Sequence, residues 1–246
     1  MLKQEKQGRT AVLTIDRPER RNSICVALVE QLRQALNACN VDPQVSAIVL
    51  TGSPPGFCAG SDLKELATLD LAGMGAHEAD TAALARAIAL LDKPVVAAVD
   101  GFALGGGFVL AASCDVVVTA RKARWHLPEV TIGWIPPWGL ETLTARVGPV
   151  TARRLTWGGE VLDGGEAHRV GIADYVTDGD VIAEALAVAG RLANLPLPAV
   201  SATKRYFSLA AARNGEAGDT LANRMFIENC GHEVAKSTLK KFGVKA

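Results

Sequence analysis

Residues 93–118 read KPVVAAVDGFALGGGFVLAASCDVVV, and this stretch decides the fold. Val95 to Val99 is a short apolar run, rich in valine and too brief for a free-standing helix, so it reads as a buried strand. Asp100-Gly101 turns the chain. Gly105, Gly106 and Gly107 then open a charge-free helical segment, and Val116 to Thr119 reads as the next strand. Strand, glycine turn, helix and strand in succession describe an α/β core with parallel pairing. Glycines at a helix start also let a ligand approach N–H groups that have no intrahelical partner, where the helix dipole favours negative charge. Taken alone, the same glycines serve equally well to pack a helix tightly against a strand.

Working outward, Ala11 to Ile15, Ala47 to Thr51 and Ile172 to Val176 have the same strand-like character. Between them, Ile24 to Asn40 places Leu28, Leu32 and Leu36 on one helical face, and Ala82 to Leu91 does so with Leu84, Ile88 and Leu91. Val181 to Leu195 is helical by pattern and is broken by Leu195-Pro196-Leu197-Pro198. Ala199 to Ala212 and Asp219 to Phe242 read as further helices. The expected organisation is an α/β core over 1–195 followed by a helical region over 196–246. A second glycine-bearing strand exit, IVLTGSPPGFCAGSDLK (48–64), parallels the first. Two such exits facing each other would present two N–H donors to one oxygen, an oxyanion hole.

The composition bounds the function. The chain has 246 residues, 49% of them apolar, and 26 basic against 26 acidic side chains. A core of that size excludes a disordered protein. The charge balance gives no global attraction to nucleic acid or an anionic membrane. The five scattered cysteines form no C-x-x-C pair and read as reduced core thiols of a cytoplasmic protein. The start, MLKQEKQGRT, has no apolar run of the kind a secretory signal needs. Gly101 to Cys114 is free of charge for only 14 residues, short of a membrane span. The position needed for the third glycine of a dinucleotide fingerprint is Leu110. No phosphate loop, nucleophile elbow or zinc-protease spacing occurs, so no metal site is expected.

FCAGSDLKEL (57–66), the stretch 93–118 and ARWHLPEVTIGWIP (123–136), in that order, resemble the enoyl-CoA hydratase/isomerase, or crotonase, superfamily. The similarity extends from RPERRNSI (17–24) through VGIADYV (170–176). The resemblance implies a spiral of ββα units with C-terminal helices that build a homotrimer, often paired into a hexamer. It also implies an acyl-CoA thioester substrate, with coenzyme A as part of that substrate and no separate cofactor. On this resemblance the oxyanion N–H groups fall to Ser61 and Gly106. Ala59, Ser61, Asp62, Leu63 and Lys64 form the coenzyme A turn, while Gly105, Val109, Trp134 and Trp138 flank the acyl group. By themselves, Ser61 reads as a helix cap and Lys64 as a solvated surface lysine.

Glu129 follows Leu127-Pro128 and begins a run free of charge up to Leu140. Such a carboxylate is either exposed at a loop tip or held in an apolar pocket. In the pocket desolvation raises its pKa and suits it to acid/base work. The resemblance makes it the catalytic glutamate. Three departures accompany it. Val109 stands where family hydratases carry a second glutamate, Pro136-Pro137-Trp138-Gly139 replaces a glycine-rich turn, and His126 replaces a glycine. His126 reads as structural or as a group that tunes Glu129, and Glu141 as a pocket residue or a first-turn helix acid. With Glu129 as single acid/base, double-bond isomerisation is the expected reaction. Hydration, acyl-CoA hydrolysis, decarboxylation and C–C cleavage are the alternatives, as is a catalytically weak acyl-CoA-binding or assembly protein.

Overall fold

The valine-rich runs pair in parallel, with Ile48 to Thr51 in register with Val95 to Ala98. The computed structural model describes residues 1–243. In chain order its first half forms β1 (Leu2–Gln7), β2 (Thr10–Ile15), α1 (Val26–Val41), β3 (Ala47–Gly52), α2 (Leu63–Leu66) and α3 (Leu71–Leu90). Next come β4 (Val95–Val99), β5 (Phe102–Leu104), α4 (Gly106–Ala112), β6 (Val116–Ala120) and β7 (Arg124–His126). The remainder forms α5 (Leu140–Thr156), β8 (Val161–Leu162), α6 (Gly164–Arg169), β9 (Tyr175–Thr177), α7 (Val181–Ala193), α8 (Leu197–Cys230) and α9 (Glu233–Gly243).

A six-stranded sheet has the order β1-β2-β3-β4-β6-β9, and only its β1–β2 edge is antiparallel. A smaller sheet has the order β5-β7-β8. Twice the chain passes from the large sheet to the small one and then into helix: β4–β5–α4, then β6–β7 and a 3₁₀ turn at Glu129–Ile132 before α5. Cys58 extends this pattern by bridging Ala103 after β3. This winding is the expected spiral of ββα units.

Alternation along the strands splits the large sheet between two apolar layers. Ile48, Leu50, Val95, Ala97 and Val99 face α1, α3 and α4, while Ala47, Val49, Val96 and Ala98 face α7. With both faces covered, these strands read as unbroken apolar runs rather than as alternating ones. β1 escapes the sequence reading for the opposite reason: its LKQEKQ residues are mostly exposed on an edge.

Three expected boundaries move. The strand read at 172–176 begins at Tyr175, because Ile172 and Ala173 instead close α6 through N–H bonds to the Ala167 carbonyl. α3 begins at Leu71 rather than near Ala82, capped by Asp70 through the Gly73 N–H at 2.7 Å. The helices read at 199–212 and 219–242 are instead α8, continuous to Cys230, and α9, with the break at Gly231. Gly218 lies inside α8 and meets the Glu141 side chain, where a Cβ would lie 2.7 Å from Cγ.

α8 is tied to the body by Asp219, which pairs with Arg86 of α3 and accepts the Gly139 N–H, at the start of α5, at 2.7 Å. Asp219 is 6% exposed, so losing it leaves an N–H and a guanidinium without their partner. Asp219→Ala is expected to lower the unfolding free energy by about 1–3 kcal/mol. Urea titration should show a lower midpoint at unchanged slope.

Candidate active site

Both glycine exits end at one place. Ile24 donates to the Gly60 carbonyl at 2.8 Å and Leu104 to the Cys58 carbonyl at 2.9 Å, which lays the two turns side by side. Gly60 adopts φ +87°, and a Cβ there would stand 2.9 Å from the Leu104 carbonyl and 3.0 Å from the Gly106 nitrogen. Only a residue without a side chain permits that approach. Gly106 is the first residue of α4, so its N–H has no intrahelical acceptor.

The cavity above these turns has a volume of about 70 Å³. It is walled by Ala59, Ser61 and Leu63 from one turn and by Gly105, Gly106 and Val109 from the other. Ile132, Trp134, Trp138 and Phe226 complete the apolar walls. Trp134 meets Phe226 edge-on at 5.9 Å, so α8 closes the cavity and both expected regions, 1–195 and 196–246, contribute to it. The loop from Glu129 to Gly139 is held from the C-terminal helices. Asn229 accepts the Ile135 N–H at 3.1 Å, and Thr238 donates to the Ile132 carbonyl at 3.0 Å.

Glu129 sits in the pocket rather than at a loop tip, with 7% exposure. Its Oε2 is buried and meets no hydrogen-bond partner. Burial raises its pKa to about 8, and the charge of Glu78 adds to the rise. Gly105 makes room for it: the backbone there has φ +53°, and a Cβ would lie 2.7 Å from Glu129 Oε1.

Glu78 is the site residue that the sequence reading missed. It lies on α3, 2% exposed, and lines the same cavity. Ser61 Oγ donates to its Oε1 at 2.7 Å and Trp138 Nε1 to its Oε2 at 2.8 Å. Glu78 thus shares the cavity with Glu129. Burial pushes the Glu78 pKa up, while the neighbouring His77 and the two donors, which favour its charged form, oppose that rise.

The remaining sequence-selected residues divide between this cavity and its outer rim. A surface groove at the Ala59–Lys64 turn is lined by Lys64, Leu63 and Asp62 together with Glu19, Arg20 and Arg21. The Asp62 carboxylate is committed to the fold there: it pairs with Arg17 at 3.1 Å and caps α2 through the Lys64 N–H. The RPERR motif thus adds two arginines to the lysine, a feature that the linear separation of residues 20 and 64 concealed. His126 is not part of the cavity wall, and its Nε2 bonds the Gly158 carbonyl at 3.0 Å. Glu141 is an exposed first-turn acid of α5. Among the described residues no three metal-type side chains converge.

Comparison with known proteins agrees with this geometry. Residues 5–245 match the family described as Enoyl-CoA hydratase/isomerase. A probable enoyl-CoA hydratase of Rhizobium meliloti is 35% identical over 98% of this chain and 94% of its own. The 2,3-dehydroadipyl-CoA hydratase of Escherichia coli is 38% identical over 81% of this chain and 78% of its own. The crystal structure of an enoyl-CoA hydratase/isomerase from Mycobacterium paratuberculosis superposes with a TM-score of 0.89 at 28% identity, covering 98% of this chain and 97% of that one. The chain belongs to the enoyl-CoA hydratase/isomerase family. It is an enzyme of the crotonase fold, and its family implies an acyl-CoA substrate.

Glu129 gives a stability signature independent of any assay. Its raised pKa means that the folded protein keeps a proton which the unfolded chain has released. That contribution is fully present below the ordinary value of 4.5 and is lost as pH climbs through about 8. The stability of Glu129→Gln relative to the parent should therefore rise between those two pH values and level off above them. Denaturant titrations across that range check it, and a flat difference would contradict the buried, protonated carboxylate.

Proposed function

We propose that this chain hydrates a short 2-enoyl-CoA. The observation that carries the reading is the unpartnered, proton-holding Glu129 in one cavity with Glu78 and with the two glycine turns. In this reading the N–H groups of Ser61 and Gly106 receive the thioester oxygen. As water adds to Cβ, charge moves onto that oxygen, and two fixed donors stabilise it where it develops. Glu129 then gives its proton to Cα. Hydratases among the relatives at 35% and 38% identity support the same choice. The cavity of about 70 Å³ walled by Trp134, Trp138 and Phe226 suits a short acyl group.

A second reading is double-bond isomerisation, favoured by Val109. It is 1% exposed and presents an apolar wall one helical turn beyond Gly106. Glu129 alone suffices for that reaction, because it can take a proton from one carbon and return it to another. Both readings pass through a thioester enolate, so both require the same oxyanion donors.

The coenzyme A portion fits the outer groove. Ala59, Ser61 and Leu63 line both the groove and the cavity, so a thioester in the cavity leads out past Lys64, Arg20 and Arg21. Cations there suit phosphates. We further assign residues 196–246 to contacts between subunits of a homotrimer or homohexamer, since Tyr206 and Phe207 on α8 are 73% and 74% exposed. The five cysteines are all free and buried, which accords with a reducing, cytoplasmic setting.

Purified protein should bleach the conjugated thioester band of crotonyl-CoA, and much faster than that of a long-chain 2-enoyl-CoA. Gly106→Pro deletes one oxyanion donor at a helix position where proline is tolerated. It is expected to lower kcat by about 10²–10³-fold. Full activity in a folded Gly106→Pro protein, judged by near-ultraviolet circular dichroism, would remove Gly106 from the site. Rapid conversion of 3-enoyl-CoA without hydration would select the isomerase reading.

A further inference from the structure

We propose that Glu78 is a second catalytic carboxylate, which takes a proton from the water that attacks Cβ; the assignment rests on the hydration reading above. Val109 occupies the α4 position expected to hold a water-activating acid, and it offers water nothing. Glu78 reaches the same cavity from a different element, the middle of α3. Its two oxygens are held by Ser61 Oγ at 2.7 Å and Trp138 Nε1 at 2.8 Å. Each carboxylate oxygen has two acceptor sites, so one donor apiece leaves capacity for a water. The donors come from the turn that carries the Ser61 N–H and from the loop that roofs the acyl space, so the carboxylate is fixed to both walls.

Unequal partners decide which carboxylate holds the proton. Two nearby carboxylates in a desolvated site share one proton, and donors to the charged form direct that proton to the other group. Glu78 has two side-chain donors, whereas Glu129 has only its own backbone N–H and its Oε2 has none. Glu78 therefore starts ionised and Glu129 protonated. In the reaction the water O–H bond breaks, its proton passes to Glu78, and the oxygen bonds to Cβ. The C=C electron pair moves onto the thioester as an enolate. Glu129 delivers its proton to Cα, and the C=O bond re-forms. One water is added, Glu78 ends neutral and Glu129 charged, and proton exchange through the next water restores the pair.

The test separates water activation from chemistry at Cα. Exchange of the α-protons of butyryl-CoA in D₂O, followed by NMR, needs Glu129 and the oxyanion donors but no attacking water. The parent protein should both hydrate crotonyl-CoA and exchange those protons. Glu78→Gln should lose hydration by about 10²–10⁴-fold, while exchange, which needs ionised Glu129, is kept or rises as the neighbouring charge is removed, and butyryl-CoA affinity stays within a few-fold of the parent. Undiminished hydration would overturn the assignment. Equal loss of hydration and exchange would overturn it too, because Glu78 would then only brace the Ser61 turn. A parent protein that exchanges but does not hydrate defeats the hydration reading itself, and Glu78 falls with it. Should Glu78→Gln fail to fold, Glu78→Asp retains the charge. A fall in hydration that exceeds the fall in exchange supports the role, and equal falls overturn it.

Discussion

The close approach of two backbone turns is the constraint on which the rest of this structure depends. The strand exits that end at Gly60 and Gly106 pack so tightly that a Cβ on the first would lie 3.0 Å from the nitrogen of the second. That contact requires glycine, and it also requires strands that end side by side. The Cys58–Ala103 and Ile24–Ser61 bridges supply the second condition. A sheet buried on both faces then anchors those strand ends, because shifting one strand would break the packing against α7 as well as that against α4.

Above the turns, the site is completed from the far end of the chain. Asp219, Asn229 and Thr238 each bond the backbone of the loop that carries Glu129, Trp134 and Trp138, or of the helix start that follows it. Phe226 fills the cavity wall. The C-terminal helices thus set the volume of the cavity, whatever else they contact. A backbone group bonded to a buried side chain has little freedom to move, which suits a site that must hold a carboxylate against an apolar wall.

Burial and hydrogen bonding act differently on the two carboxylates. Desolvation raises both, yet Ser61 and Trp138 donate only to Glu78. Environments that push two acids apart are how one site runs acid and base chemistry at the same pH. The difference comes from geometry, since both residues are glutamate.

By itself the sequence determined the α/β class, the chain positions of the buried strands and the two glycine turns, and it left Glu129 either exposed or pocketed until the family resemblance singled it out. Those features are local: periodicity, glycine placement and the company of apolar residues are all visible within a few positions. Tertiary structure decided the rest. In the sequence, Leu71 to Thr81 mixes Gly, Ala, His, Glu and Asp without a clear apolar stripe, because the buried face of α3 carries Gly75, His77, Glu78 and Thr81 beside Met74. Nothing local in that stretch singles out Glu78. It becomes a site residue only because the fold sets it against Ser61, 17 positions away, and Trp138, 60 positions away. Likewise Arg20 and Arg21 join Lys64 only when α2 is laid against the N-terminal turn. Burial and hydrogen bonding between distant segments depend on how the chain packs, and no local pattern in the sequence records them.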